Sequence, residues 1–188
     1  MSSLYCHMLN RNLLILELVL KEFKNHMQLI LVRHGEAEAH QANDAIRILT
    51  ARGVAQAHST ANQVLEKYQP DLLVASPYVR AQQTVAAFQE TLSHKALTNI
   101  PLQTLDLITP DADPQIALDA LAGLQSQYSA KCMVVVCHMN VIAYIAGLLL
   151  DDNAESFGLA EARVFEQSMI LLGLSVEKAR FVPLVDHH

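Results

Sequence analysis

The chain has 188 residues, of which 52% are hydrophobic and 17% are charged, and its formal net charge is −6. This length suits one globular domain with or without an appendage, and the apolar fraction excludes a disordered chain. The acidic balance argues against a broad basic face for nucleic acid. The three cysteines, at positions 6, 132 and 137, form neither a disulfide framework nor a CxxC zinc motif, so reduced thiols in a cytoplasmic protein are the simpler expectation.

Residues 1–26 differ in pattern from the rest of the chain. They contain the apolar run 13–20, which Glu17 interrupts and which is too short for a membrane span of about 20 residues. No small-x-small cleavage site follows the run, as a secretory signal peptide would require. Since Met27 directly precedes the first predicted strand, we expect residues 27–188 to form the domain. Residues 1–26 are then an N-terminal extension, either sequence upstream of the true start or an amphipathic docking helix.

Apolar periodicity from Met27 onward predicts strands that alternate with helices. Helix-start signals support this order, with Thr50, Ser76 and Asp113 each placed to cap a helix. The predicted strands cover residues 28–32, 71–75, 100–104, 132–137, 168–174 and 179–184, and the predicted helices cover residues 50–68, 76–92, 113–127 and 140–150. The last two strands are compatible with a hairpin, and residues 36–49 are a predicted loop. This order predicts an α/β fold of three layers, with a mostly parallel central sheet between helices.

Polar side chains with catalytic potential follow three of the predicted strands. Arg33 and His34 follow the first strand, Ser76 and Arg80 follow the second, and His138 follows the most apolar strand. Because the carboxyl ends of parallel strands lie at one edge of the sheet, these side chains should meet there. Ligands of such sheets bind at this same edge. Arginine forks match phosphate oxygens, and a neutral imidazole is a competent nucleophile toward phosphorus. The sequence therefore predicts an anionic, phosphate-shaped ligand at this edge.

Four motifs in this order resemble those of the histidine phosphatase superfamily, whose fold is that of phosphoglycerate mutase. The motifs are RHGE at 33–36, LTARG with QA at 49–57, SPYVRAQQT at 76–84 and VCH at 136–138. Cys137 departs from this pattern, because the family more often has Gly or Ser there. RILT at 47–50 and LDLITP at 105–110 further resemble the phosphohistidine phosphatases of the SixA type. The chain is also too short for the large lid insertion of the mutases, which suits an open site.

The resemblance implies roles for individual residues in a reaction that uses no metal and no other cofactor. His34 would attack phosphorus and carry the phosphoryl group transiently. Arg33 and Arg80 would bind the phosphoryl oxygens, and His138 would stabilise the charge of the transferring group. Arg47 would add a third arginine contact, the alternative being a surface ion pair.

The need for a proton donor depends on the leaving group. A phosphate ester leaves as an alkoxide and requires an acid, whereas the labile P–N bond of a phosphohistidine requires one less. Asp106, Asp111 and Glu36 are the candidate acids, of which Asp106 is favoured. Glu36 has the alternative of capping or orienting its loop, and Asp106 the alternative of a structural role.

The expected function is that of a phosphohistidine phosphatase acting on a partner protein, either a histidine-phosphotransfer domain or a phosphocarrier protein. Two alternatives stay open. One is a phosphomonoesterase for a small phosphate ester, which a proton-donating carboxylate near the phosphate would favour. The other is a non-catalytic phosphate-binding regulatory module, against which the complete set of Arg33, His34, Arg80 and His138 argues. No nucleic-acid partner and no membrane span are expected.

Overall fold

The computed structural model describes residues 26–39 and 42–184. Residues 1–25 lie outside the described residues, so both interpretations of the N-terminal extension stay predictions. Within the described part, no helix is long and apolar enough to cross a membrane. Nor does a domain-sized insertion separate any two successive strands or helices of this part.

The described residues form one sheet of six strands. The strands are β1 (Met27–Arg33), β2 (Leu72–Ala75), β3 (Leu102–Thr104), β4 (Cys132–Cys137), β5 (Ala162–Gln167) and β6 (Val176–Phe181). Their order in the sheet is β3-β2-β4-β1-β5-β6. The first four strands pair in parallel, whereas β5 runs antiparallel to β1, and β6 runs antiparallel to β5. The predicted mostly parallel sheet is confirmed.

Helices cover both faces of this sheet. They are α1 (Ala51–Lys67), α2 (Val79–His94), α3 (Pro114–Tyr128) and α4 (Val141–Leu150). Strand β1 shows how one strand serves both layers, because successive side chains of a strand point to opposite faces. Ile30 and Val32 belong to the core under α1 and α2, whereas Leu29 and Leu31 belong to the core under α3 and α4. The predicted three-layer α/β architecture is confirmed.

Two of the three predicted helix caps are present. The Thr50 side chain accepts a hydrogen bond from the backbone of Gly53, and the Asp113 side chain caps α3 ahead of a proline. The prediction was wrong for Ser76, because α2 begins at Val79 and its N-cap, Tyr78, makes no side-chain capping bond. The Ser76 hydroxyl instead lies in hydrogen-bond contact with a histidine of the site described below.

The C-terminal antiparallel pair lies earlier in the chain than predicted. Strand β5 contains Arg163 and Glu166, and these charged residues broke the apolar pattern. The Arg163 side chain is nevertheless buried, because Glu161 pairs with it. Residues 168–174 are apolar in sequence but form the connection between β5 and β6, where Leu172 and Leu174 are exposed. The apolar composition therefore predicted a strand where the connection lies, and it missed β5.

The segment that follows β1 is more ordered than the predicted loop. It contains a short 3₁₀ turn, Asp44–Ile46, and Ala37 forms an isolated antiparallel bridge with Leu49. This bridge returns the chain to the carboxyl end of β1 before α1 begins. The segment therefore lies beside the edge of the sheet where the predicted site residues emerge.

Candidate active site

The register of the parallel strands sets the two histidines side by side. Arg33 of β1 pairs with Cys137 of β4, so His34 and His138 follow at the same level of two neighbouring strands. Their ring centroids are 5.1 Å apart. Ser76 continues β2 at the same edge, where its backbone amide donates to the carbonyl of Val136. The structure thus brings both histidines to the carboxyl edge of the sheet.

The hydrogen bonds of His34 fix which of its ring nitrogens carries the proton. Nδ1 lies 2.7 Å from the Gly35 carbonyl, which can only accept, so Nδ1 donates. Nε2 accepts from Nε of Arg80 at 3.2 Å. Burial and, to a smaller extent, the nearby guanidinium of Arg80 lower the pKa of His34 to about 4, although the hydrogen bond to the Gly35 carbonyl acts in the opposite direction. At neutral pH, His34 is therefore a neutral imidazole whose Nε2 lone pair faces the arginine.

His138 is fully buried and also neutral. Its Nε2 lies 2.8 Å from the hydroxyl of Ser76, and the Tyr78 ring packs edge-on against it with centroids 5.0 Å apart. Burial holds the pKa of His138 far below its ordinary value, and the neighbouring His34 and Arg80 act in the same direction. Ser76 therefore orients the ring, a role that its resemblance to a helix cap concealed in the sequence.

Two buried polar atoms at this edge lack a partner among the described residues: Nε of Arg33 and Nδ1 of His138. The other end of Arg33 is held, because its Nη1 donates to the Phe157 carbonyl at 2.7 Å. Burial lowers the pKa of Arg33, and the carboxylate of Glu161 opposes that effect. An unsatisfied buried polar group costs about 1–3 kcal/mol. A bound anion with several acceptor oxygens would relieve this cost at Arg33 Nε, and also at His138 Nδ1 in the tautomer that carries its proton there.

Arg47 and Arg80 share one carboxylate, that of Asp44. Arg80, only 3% exposed, donates from Nη1 to the Asp44 backbone carbonyl at 2.7 Å and from Nη2 to its carboxylate at 2.8 Å. Arg47 Nη1 donates to the other carboxylate oxygen at 2.7 Å, and its Nε donates to the Glu38 carbonyl. Burial alone would raise the pKa of Asp44, but these arginine hydrogen bonds outweigh it and lower that pKa. The sequence did not identify Asp44 as a residue of this site. The available signal was its position three residues before Arg47, from which the two side chains can pair.

The glycines of the first two motifs allow two backbone segments to touch. A Cβ on Gly53 would lie 1.9 Å from the backbone oxygen of Glu36, and one on Gly35 would lie 2.5 Å from the backbone oxygen of Gly53. The same contact is reinforced by Gln56, which accepts from the Glu36 amide, and by Thr84, which accepts from the Gly35 amide. These motif residues therefore hold the chain that carries His34.

The structure places the candidate acids Glu36 and Asp106 in different surroundings. The Glu36 carboxylate accepts from the Thr50 hydroxyl at 2.8 Å and pairs with Arg52 at 3.5 Å, so it helps to orient the loop after β1. Asp106 is exposed and begins the 3₁₀ turn Asp106–Ile108, just after β3, at the carboxyl edge that β3 shares with β2. Among the described residues, no hydrogen bond or ion pair joins Asp106 to His34. This part of the chain also contains no group of three or more His, Cys, Asp or Glu that could hold a metal ion.

Comparison with known proteins gives the same picture by sequence and by structure. The model of the histidine phosphatase superfamily (branch 1) matches residues 29–107. Over 126 residues the chain is 28% identical to the phosphohistidine phosphatase SixA of Escherichia coli (strain K12), a match that covers 65% of this chain and 74% of that protein.

Solved structures share the fold. The structure of the protein histidine phosphatase SixA complexed with tungstate has a TM-score of 0.71 at 22% identity, covering 84% of this chain and 97% of that one. A phosphoserine phosphatase variant from Entamoeba histolytica, in complex with phosphoserine, has a TM-score of 0.61 at 17% identity, covering 82% and 96%. Taken with the ordered motifs and the paired histidines, these matches support a hydrolase of the phosphatase class. The chain is thus similar to the histidine phosphatase superfamily over residues 29–107, and to the SixA proteins within it.

Proposed function

We propose that this protein hydrolyses phosphohistidine on a partner protein, through a transient phosphohistidine on His34. The observation that carries the proposal is the state of His34. Its Nε2 lone pair lies 3.2 Å from an arginine donor, beside two buried polar atoms that have no partner in the described residues. A tetrahedral phosphoryl group has the charge and the oxygens to accept hydrogen bonds from Arg80 and from Nε of Arg33.

In the first step, His34 Nε2 attacks phosphorus and a new P–N bond forms. The bond between phosphorus and the partner's imidazole breaks, and that imidazole leaves with the electron pair and takes up a proton from solvent. Nε of Arg80, which loses its acceptor when the Nε2 lone pair is used, can donate to a phosphoryl oxygen instead. Arg33, Arg47 and His138 are proposed to contact the remaining oxygens, where fixed donors stabilise the transition state.

In the second step, water attacks the phosphoryl group on His34. The P–Nε2 bond breaks, orthophosphate forms, and the second proton of the water passes to solvent. The leaving group of this step is the His34 imidazole, which regains on Nε2 the lone pair that accepts from Arg80. Ser76 is proposed to act as a positioning residue by holding His138 through both steps.

A protein-borne substrate is supported by the surface around Arg47. Ile46 and Ile48, on either side of it, are 54% and 48% exposed, an apolar rim that a partner protein could cover. The similarity to the Escherichia coli phosphohistidine phosphatase SixA supports the same substrate class. The proposed partners are a histidine-phosphotransfer domain or a phosphocarrier protein, and a cytoplasmic location belongs to the same proposal.

Hydrolysis of a small phosphate ester is the second candidate. Its support is the position of Asp106 at the carboxyl edge of the sheet, from which a carboxyl group could protonate an alkoxide. The similarity in fold to a phosphoserine phosphatase allows this chemistry without favouring it.

One assay compares the candidates. The full chain is offered a histidine-phosphorylated carrier protein and, separately, a panel of phosphate esters that includes phosphoserine and an aryl phosphate. We expect kcat/KM to favour the phosphohistidine by at least about 10²-fold. We also expect an acid-labile phosphoryl group to be trapped on His34 by rapid quenching.

The matched variants are His34→Ala and His58→Ala, the second changing a half-exposed histidine of α1. The first should abolish turnover and trapping, and the second should leave both unchanged. A preference for esters would replace the phosphohistidine assignment with the second candidate. Phosphate binding without any turnover would indicate a non-catalytic regulatory module, and full activity in His34→Ala would contradict the mechanism.

A further inference from the structure

We propose that the Asp44 carboxylate is a resident anion of the phosphate site that sets its affinity for free phosphate. Asp44 would then be a specificity-determining residue that disfavours small phosphate anions relative to a phosphoryl group delivered on a protein. The inference rests on the proposed function, because it assigns the same arginines to phosphate.

The contacts of Arg80 show that Asp44 takes the place of a ligand. Both terminal nitrogens of the guanidinium donate to Asp44, one to its backbone oxygen and one to its carboxylate. The third nitrogen, Nε, donates to His34. Arg47 donates to the remaining carboxylate oxygen of Asp44 at 2.7 Å. One carboxylate thus bridges two arginines, with one oxygen accepting from each, as two oxygens of a phosphoryl group could.

The two members of the central ion pair differ in exposure. The Arg80 side chain is only 4% exposed, whereas that of Asp44 is 33% exposed, with 2.8 Å between the donor nitrogen and the acceptor oxygen. The arginine is therefore fixed, while the carboxylate can turn toward water. The hydrogen bonds from Arg47 and Arg80 also lower the pKa of Asp44, so the carboxylate is charged at neutral pH.

This arrangement makes a phosphate anion compete with Asp44. If the carboxylate stays, its negative charge repels the incoming anion over a few ångströms. If it leaves, the hydrogen bonds to both arginines must be broken first. Free phosphate has only the site's own donors with which to offset that cost. A phosphoryl group on a partner protein has the protein's docking contacts as well, and the orthophosphate produced is released more readily.

The test measures the binding of orthophosphate and of tungstate by titration calorimetry, without turnover. Asp44→Asn keeps the size of the side chain and removes its charge, so orthophosphate should bind at least about 10-fold more tightly than to the unchanged protein. The matched control is Glu38→Gln, which removes one negative charge from the same segment. Glu38 meets Arg47 only through its backbone carbonyl, so this variant should bind within about twofold of the unchanged protein.

A second variant, Asp44→Ser, removes the carboxylate with a smaller side chain and should also bind orthophosphate more tightly. Inhibition of phosphohistidine hydrolysis by orthophosphate should strengthen in parallel. Equal or weaker binding in both Asp44 variants would overturn the proposal and make Asp44 a residue that positions the arginines. Binding does not depend on turnover, so tighter binding without hydrolysis would count against the proposed function alone. No binding of either anion to any variant would overturn both.

Discussion

Arg80 and Arg163 are buried to the same extent, each with 3% of its surface exposed, but in different surroundings. Arg163 lies in β5 with its donors engaged. Its Nε donates to Glu161 at 2.6 Å, its Nη2 donates to the Ser156 carbonyl at 2.6 Å, and its guanidinium stacks on the Phe157 ring at 3.9 Å. Arg80 instead faces a neutral histidine and a partly exposed carboxylate.

The difference shows that burial of an arginine does not by itself identify a phosphate site. Arg163 is held by the buried carboxylate of Glu161 and by the Ser156 backbone carbonyl, which is the pattern of a structural ion pair. Arg80 has one partner with a nucleophilic lone pair and one that solvent can reach. What distinguishes the two regions is whether the partners of the buried charge can be exchanged for a ligand.

Arg163→Ala should have the largest effect, and the effect should be on stability. Removing the guanidinium leaves the buried carboxylate of Glu161 without its ion-pair partner, which costs about 3–5 kcal/mol of unfolding free energy. Urea denaturation measures this loss, and kcat/KM of the folded variant should change by only a few-fold. A large loss of activity with unchanged stability would place Arg163 in the active site and remove the contrast with Arg80.

Arg80→Ala should show the opposite pattern. Loss of one fixed donor to a developing phosphoryl charge lowers the rate by about 10²–10³-fold. The midpoint of urea denaturation should shift less than in Arg163→Ala, because Asp44 keeps its contact with Arg47. The measurements are kcat/KM on a phosphorylated carrier protein and urea denaturation. Unchanged activity would contradict the assignment of Arg80 to phosphate.

The neutral histidines predict how stability depends on pH. Burial is the main cause that lowers the pKa of folded His34 to about 4, and it lowers the pKa of His138 as well. At a pH below the ordinary histidine pKa of about 6.5, the unfolded chain therefore binds more protons than the folded one. The His34 contribution is therefore complete above about pH 6.5 and falls by about 3 kcal/mol toward pH 4, and His138 adds to this loss in the same direction. Urea denaturation at pH 7, 5.5 and 4.5 checks it, and His34→Asn should flatten the slope. Stability that rises on acidification would contradict the neutral assignment.

Ser76→Ala should have a smaller effect, which separates positioning from binding. The variant removes the hydroxyl that lies 2.8 Å from His138 Nε2 and leaves every arginine in place. The loss of one hydrogen bond to a buried ring corresponds to about 1–2 kcal/mol, or about a 10-fold fall in kcat, with KM little changed. Ser126→Ala, in the exposed part of α3, is the matched control. A rise in KM without a fall in kcat would assign Ser76 to substrate binding.

The sequence predicted the parts of the fold that local patterns encode. Apolar runs such as CMVVVC identified β4, and Thr50 and Asp113 identified two helix starts. The pattern failed at β5, because the buried Arg163 depends on Glu161 and Phe157, whose positions only the folded chain reveals. It also misjudged residues 168–174, since exposed leucines and buried ones look the same in sequence.

The same contrast between local sequence patterns and long-range contacts applies to the site. The strand ends predicted that His34 and His138 would meet, and the register of β1 and β4 confirms it. The contacts that hold these residues could not be predicted, because Ser76 meets His138 from a neighbouring strand and Asp44 meets Arg80 from the 3₁₀ turn after β1. Motifs therefore predicted which residues gather at this edge of the sheet, and long-range contacts decide how each is held.

Deletion of residues 1–26 should have the smallest effect on activity, because the deletion ends at the opposite end of β1 from the site. The deletion ends at Met27, the first residue of β1, and the seven residues of that strand, at about 3.3 Å each, place its start about 20 Å from Arg33. Since the site lies at the opposite end of the strand from the point of deletion, kcat/KM on a phosphorylated carrier should stay within about twofold. The same deletion separates the two interpretations of the extension, because removal of a docking helix would uncover apolar surface and lower the urea midpoint. An unchanged midpoint would favour a dispensable upstream sequence. A fall in kcat/KM without loss of stability would mean that residues 1–26 reach the site or the partner protein, and would contradict a catalytic domain that begins at Met27.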